Sequence, residues 1–325
     1  MTVHVSAFFL GGTIGMAGHH GGVVDRLTAE DLVASVPQLA SVDVELDVRN
    51  FRALPSACLS FEDVIELVAA AEQSRADGVV VVQGTDTLEE TAYLIDLLWP
   101  HDIPIVITGA MRNPSMAGSD GAANLLAAVQ SAASPGLHGL GALVVLDDKV
   151  HAARFARKTH STSTSTFASP NAGPVAVMVE GRPVRVMSVE RRPVLRPTRS
   201  PSARVATYTV TMGDGGETLR GLVDRCDGLV VAALGVGHVP ERLAGPLVDL
   251  ADTIPVVLAS RTGAGPVLTH TYGFVGSETY LLDHGLVSAG LLDPFKARVL
   301  LKVALDCDYD RDQIRTAFAD ASGLA

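Results

Sequence analysis

Hydrophobic and polar positions fall into alternating blocks along the first half of the chain. Residues 3–10 and 79–82 are largely apolar runs of buried-strand length, and residues 103–108 and 142–146 repeat the pattern. Thr28-Ala29-Glu30-Asp31 precedes Leu32 and Val33, and Ser60-Phe61-Glu62-Asp63 precedes Val64, Ile65, Val68 and Ala69. A hydroxyl three residues ahead of an acid marks a helix start, so both segments are predicted to open helices. Residues 88–98 and a stretch around 124–133 are predicted to be helical as well. Val42, Val44, Leu46 and Val48 alternate with polar residues, as in a half-exposed strand. Strand–helix alternation of this kind predicts a parallel sheet with right-handed crossovers. Residues 175–179 and 184–189 flank Gly181 as a hairpin. Residues 191–202 hold Pro193, Pro197 and Pro201 among several arginines, the composition of a linker. Beyond it the alternation resumes, with strands over 204–211, 229–234 and 254–259 and closing helices over 294–307 and 312–318. The fold class is therefore α/β in two domains: a larger N-terminal one over 1–190, a linker over 191–203, and a smaller α/β domain over 204–325.

Composition sharpens this picture. The 325 residues are 47% hydrophobic but only 5% aromatic, so Val, Ala and Leu dominate the core, as suits a parallel sheet covered by helices. A net charge of −11 argues against a dedicated nucleic-acid binder. No uncharged run approaches a membrane span, and the apolar start lacks a basic leader and a cleavage site, so a soluble cytoplasmic protein is expected. Cys58, Cys226 and Cys307 include no CxxC pair and read as buried thiols in a reducing compartment.

The candidate chemistry lies at two strand ends. Leu10-Gly11-Gly12-Thr13-Ile14-Gly15 follows the first apolar run, and Gln83-Gly84-Thr85-Asp86-Thr87 follows the second. In open α/β sheets the C-terminal strand edge is where ligands bind. Two hydroxyls and a carboxylate there suggest nucleophilic catalysis. Taken alone, the first motif is weak: it lacks GxGxxG and a P-loop lysine. Asp86 also reads as an N-cap for the helix over 88–98, with Glu89 and Glu90 as first-turn acids facing the helix dipole. A threonine hydroxyl needs a base to attack a carbonyl. Lys158, in Arg157-Lys158-Thr159-His160, is a candidate, because burial can lower a lysine's charge near neutral pH. On its own it reads as an ordinary solvated lysine, and the Ser/Thr run over 161–166 as a solvated loop.

These motifs together resemble the bacterial-type L-asparaginase family over essentially the full length. The decapeptide Gln83-Gly84-Thr85-Asp86-Thr87-Leu88-Glu89-Glu90-Thr91-Ala92 resembles its second threonine signature closely. Phe9-Leu10-Gly11-Gly12-Thr13-Ile14 resembles the first, with Leu10 in place of a threonine. Thr108-Gly109-Ala110-Met111-Arg112, Ser119-Asp120-Gly121, Asn124-Leu125, Lys158-Thr159, Gly173-Pro174 and the segment from Pro294 to Leu301 extend the match. The resemblance implies amide hydrolysis through a covalent acyl-enzyme, without a metal or organic cofactor, and a flavodoxin-like second domain. Thr13 would be the nucleophile, and Thr85, Lys158 and Asp86 the supporting group. Asp86 would also take the α-amino group of L-asparagine and Ser56 its α-carboxylate. Gly84 and Ala110 would line the substrate site, and backbone amides near Thr13 and Thr85 would hold the oxyanion.

Departures from the family pattern concern substrate recognition. Tyr93 is the first tyrosine, so the lid segment 16–25 lacks the family's lid hydroxyl; His19 and His20 are candidates to replace it, or solvent-facing loop residues. Ala57 stands where a glutamine is usual and Pro240 where an asparagine is. The resemblance further implies a homo-oligomer, a tetramer built as a dimer of intimate dimers, in which each active site is completed by a neighbour's C-terminal domain and Glu278, from a polar loop, reaches across the interface to the substrate site. The alternatives are a glutaminase or another amidohydrolase of this fold, and a non-catalytic α/β amino-acid-binding protein. A binder would have no need of Lys158 beside two threonine hydroxyls.

Overall fold

In the computed structural model of the chain, residues 2–19, 22–26, 28–198, 201–219, 221–222 and 224–322 are described, with residues 13, 16–19 and 22–26 described by their backbone alone. The chain divides into two compact units after Val194. The strands of the first unit are β1 (Val3–Phe9), β2 (Met16–His19), β3 (Gly22–Arg26), β4 (Val44–Asn50), β5 (Gly78–Val82), β6 (Ile105–Thr108), β7 (Ala142–Leu146), β8 (Lys149–Ala152), β9 (Arg157–Lys158), β10 (Phe167–Ala168), β11 (Ala176–Val179) and β12 (Arg182–Arg185). Its helices are α1 (Ala29–Ala34), α2 (Phe61–Ser74), α3 (Leu88–Leu98) and α4 (Gly121–Ala132).

Eight of these strands form one sheet in the order β12-β11-β8-β7-β6-β5-β1-β4. The segment from β4 to β7 is parallel, and β8, β11 and β12 continue it antiparallel. The central strand β5, Gly-Val-Val-Val-Val, is buried throughout, as a strand covered on both faces must be. Val5, Ala7 and Phe9 of β1 share a core with Ala29 and Leu32 of α1 and with Leu125, Ala128, Val129 and Ala132 of α4. Helices α2 and α3 pack on each other and on strands β1, β6 and β7. Both predicted capping boxes are formed: Thr28 with Asp31 opens α1, and Ser60 with Asp63 opens α2. The segment after β1 is an antiparallel hairpin, β2 against β3. The side chain of His19 and all of His20 lie outside the described residues.

The second unit holds β13 (Val205–Thr209), β14 (Gly228–Ala233), β15 (Val256–Ser260) and β16 (Val287–Ser288), with α5 (Glu241–Thr253), α6 (Glu278–Asp283), α7 (Pro294–Asp306) and α8 (Arg311–Ser322). Its four strands are parallel, in sequence order. Leu243, Ala244, Leu247 and Leu250 of α5 join Leu229, Val231, Val256 and Leu258 in its core. No helix among the described residues is long and apolar enough to cross a membrane.

Two expectations need correction here. Cys226 and Cys307 are buried free thiols, but Cys58 is exposed, because it ends the short turn Ser56–Cys58 at the surface. Glu278 is not in a polar loop. It is the first residue of α6, has no exposure, and follows Ser277, whose hydroxyl caps that helix.

Candidate active site

Strand order fixes where the two threonine turns meet. From β1 the chain crosses to β4 on one side, then returns to β5 on the other. The C-terminal ends of β1 and β5 therefore flank the point where the winding reverses, the position at which α/β sheets form ligand crevices. Thr13 opens a single 3-10 turn over Thr13–Gly15 just past β1; its side chain lies outside the described residues. Gly11 and Gly12 have φ of 106° and 98°, a region that side chains with a Cβ rarely enter. A Cβ on Gly12 would lie 2.2 Å from the Gly84 nitrogen, so the two turns touch backbone to backbone.

Around Gly84 the site is tied down by hydrogen bonds. The buried Ser56 hydroxyl accepts from the Asp86 amide at 3.2 Å, and the Thr87 hydroxyl donates to the Ser56 carbonyl at 2.9 Å. A Cβ on Gly84 would meet Ser56 Oγ at 2.7 Å, so the Ser56 turn is pressed against the Gly84 backbone. On the other side, Gly109 packs on the Gln83 carbonyl and on the Thr85 methyl group. The Gly109–Gly121 loop, which holds the buried Ala110, is braced in turn. Asp120 accepts from the Met111 and Arg112 amides, and Asn124 donates to the Gly109 carbonyl at 2.9 Å and accepts from the Asp147 amide.

Lys158 arrives from 73 residues further along. Its Nζ donates to Thr85 Oγ1 at 3.0 Å and to Asp86 Oδ1 at 2.9 Å. Thr85 is buried; the Lys158 side chain is 15% exposed and that of Asp86 is 70% exposed. Asp86 is thus an ion-pair partner rather than a helix cap: the residue at the cap of α3 is Thr87, which makes no side-chain capping bond. Glu89 lies in the first turn of α3, as expected, and has a second role. It is buried, and its carboxylate accepts from the Lys158 backbone amide at 3.0 Å, holding β9 in place. Its position inside the decapeptide was the available signal, masked by its plausibility as a dipole-facing acid. Residues 161–166 form an exposed loop, as expected, with Ser161, Thr162 and Ser165 open to solvent. They close the β9–β10 hairpin, with His160 Nδ1 accepting from the Thr162 and Ser163 amides and the buried Thr166 hydroxyl accepting from the His160 amide.

The structure therefore brings Ser56, Gly84, Thr85, Asp86 and Lys158 together beside the Thr13 turn. Ala57 is exposed in the turn after Ser56. In the second unit, Pro240 precedes α5 at its cap. There Glu278 accepts from the Thr271 and Tyr272 amides at 3.1 and 2.8 Å, and its Oε2 lies 3.1 Å from His238 Nε2. Burial pushes its carboxyl up, but these donors outweigh burial and hold it below the ordinary value.

A hydroxyl, a lysine amino group and an open carboxylate held together at a strand edge can bind and attack a polar carbonyl substrate. Comparison with known proteins agrees. Residues 4–191 match the asparaginase N-terminal family model, and residues 204–318 match that of the glutaminase/asparaginase C-terminal domain. The chain belongs to the asparaginase family. A probable L-asparaginase from Deinococcus radiodurans is 38% identical over 92% of this chain and 95% of its own length. L-asparaginase 2 of Escherichia coli K12 is 31% identical over 97% of this chain and 92% of its own. The crystal structure of a probable cytoplasmic L-asparaginase from Campylobacter jejuni matches with a TM-score of 0.87 at 28% identity, covering 98% of this chain and 99% of that one. As a member of the asparaginase family, the chain is an amidohydrolase.

Proposed function

We propose that this asparaginase-family enzyme hydrolyses the side-chain amide of L-asparagine to L-aspartate and ammonia through an acyl-enzyme on Thr13. The observation that carries the reading is the Thr85–Lys158–Asp86 group, with Lys158 Nζ within 3.0 Å of both partners at the switch point. Thr13 Oγ attacks the amide carbon, and its proton passes through the Thr85 hydroxyl to Lys158 acting as the neutral amine. Ammonia leaves with a returned proton, and water then cleaves the ester, regenerating the hydroxyl. Turn amides next to Thr13 and Thr85 hold the developing oxyanion; each such donor contributes about 3 kcal/mol. The Ser56 oxygen accepts from Asp86, so its hydrogen is available to a substrate carboxylate. Asp86 Oδ2 has no partner among the described residues and suits an α-ammonium group. The names of relatives such as the probable L-asparaginase of Deinococcus radiodurans support asparagine as the substrate.

Thr13→Ala is expected to abolish ammonia release from asparagine while leaving the folded protein intact. Near-native turnover by that variant would overturn the assignment. Mass spectrometry of the enzyme trapped with a slow substrate then locates the acyl group on Thr13 or Thr85.

We further propose a homo-oligomer in the cytoplasm, in keeping with three free thiols and with Tyr272, Phe274 and Val275 exposed together on the second unit. Glu278 would serve it indirectly. Fully bonded within its own chain, it orders the Thr271–Tyr272 backbone beneath those aromatics. Light scattering tests the assembly, and a monomer with full activity would sink it.

A further inference from the structure

The segment between β8 and β11 leaves the main sheet, carries Lys158 out to Thr85, and returns. The part that holds Lys158 is slight. Strands β9 and β10 pair through two positions only, Lys158 with Phe167 and Arg157 with Ala168. A ladder that short has little stability of its own and takes its place from what anchors it. The outgoing limb is fixed at its root by the Ala153 amide on the Ala142 carbonyl and by the Ala156 amide on the Ala152 carbonyl. The returning limb has a side-chain anchor. His151 lies on β8 opposite Val144, inside the sheet, and its Nδ1 is 2.9 Å from Ser169 Oγ, directly after β10. Both side chains are buried, at 2% and 6% exposure, so neither is open to substrate. The Ser169 backbone carbonyl accepts from the Ala172 and Gly173 amides, which turn the chain back towards β11.

The protonation state follows from the surroundings. His151 Nε2 is buried and has no partner among the described residues. A proton there would be a donor without an acceptor, which is costly in a dry site. The proton therefore sits on Nδ1 and is donated to Ser169 Oγ. Burial above all, with Lys149 adding to it and Asp147 opposing, lowers the ring's pKa to about 4, so it is neutral at physiological pH.

We propose that the His151–Ser169 hydrogen bond is a positioning element for catalysis: it pins β10 to the main sheet and so, through the Phe167–Lys158 pairing, fixes the distance of Lys158 Nζ from Thr85. The proposal rests on Lys158 serving the reaction as described above. A displacement near 1 Å at a catalytic group can cost roughly 100-fold in rate, and the expected loss here is a fraction of that, because Glu89 still holds the Lys158 amide.

Steady-state kinetics on Ser169→Ala and His151→Phe test it. Each is expected to lower kcat about tenfold with KM within about twofold, and the double variant to be no worse than either alone. His151→Asn, whose amide nitrogen can replace Nδ1, is expected to recover most of the loss. Hydrogen exchange gives a readout that needs no activity: the Thr159 amide, bonded to the Thr166 carbonyl at 2.9 Å, is expected to exchange faster in Ser169→Ala, with core strands β5 and β6 unchanged. Parental kcat in both single variants, or additive losses, would overturn the proposal. Lys158→Met is measured alongside. If that variant stays active, the role of Lys158 fails; the pinning of β10 is then decided by Thr159 exchange alone, and unchanged exchange overturns it.

Discussion

Lys158 and Lys296 each hold an aspartate oxygen at 2.9 Å, one in each unit of the molecule. Their surroundings differ. Lys296 and Asp293 are 1% and 12% exposed, and Asp293 also accepts from the Phe295 and Lys296 amides as the cap of α7. Both of its oxygens are engaged. Lys158 is nearly as enclosed, but its partner Asp86 is 70% exposed, with one oxygen uncommitted among the described residues. Lys158 also spans two different acceptors, the neighbouring Thr85 and Asp86 of one turn. Pair distance alone says nothing about reactivity. A pair becomes chemically useful when part of its bonding capacity is left for a substrate.

That contrast can be broken by substitution. Lys158→Met should lower kcat by about 10²–10⁴-fold, since Met fills the space but moves no proton, and should change unfolding free energy by no more than about 1 kcal/mol. Urea titration beside the ammonia assay checks both. Lys296→Met should do the reverse. Breaking a buried pair costs about 3–5 kcal/mol of stability, while specific activity of the folded enzyme at 25 °C stays parental. Equal effects of the two substitutions on kcat would dissolve the distinction.

A second pair of groups in the first unit sharpens it through pH. Burial raises Asp96 from 3.8 to about 6, despite the Ala142 amide it accepts and the charges of Arg154 and Arg191. Burial lowers His151 from 6.5 to about 4. Between those limits the folded state binds a proton at Asp96 that the unfolded chain does not, so that term gains stability as pH falls. At His151 the unfolded chain binds the proton and the fold does not, so that term loses stability over almost the same window. Each is worth about 3 kcal/mol in full, and they oppose each other. Stability should therefore vary little from these two groups between pH 6 and pH 4. Asp96→Asn should expose a loss on acidification, and His151→Phe a gain. Parallel pH–stability curves for the two variants would contradict the linkage. The smallest effect is expected at the substrate end: Ser56→Ala should raise KM for asparagine by about tenfold, the worth of one hydrogen bond to a charged group, with kcat changed less.

Much of this was legible from residues close in sequence. The apolar face of α3 ran from Leu88 to Leu98, where the helix lies, and both Ser/Thr–Asp capping boxes sit where their spacing put them. What failed was decided at long range. Asp86 carries the composition of a cap, but its partner is Lys158, the one that the family motif implied and local composition did not. Gly276-Ser277-Glu278-Thr279 carries the composition of an exposed turn, yet Glu278 is drawn inward by the amides of Thr271 and Tyr272 and by His238. Glu89 is the first-turn acid its composition indicates, but its further bond, to the backbone of Lys158 on β9, was not legible. Backbone partners leave no mark on the sequence.

The contact of Gly12 with Gly84 has a consequence for descent. With 2.2 Å between a would-be Cβ and the Gly84 nitrogen, neither loop can drift without the other. Substitution at Gly12 admits no single-step path through a tolerable intermediate, since the neighbouring backbone would have to move first. Mutational history should then treat the two threonine segments, some seventy residues apart along the chain, as one inherited character: lineages in which the first turn has changed length should be those in which the second has been rebuilt.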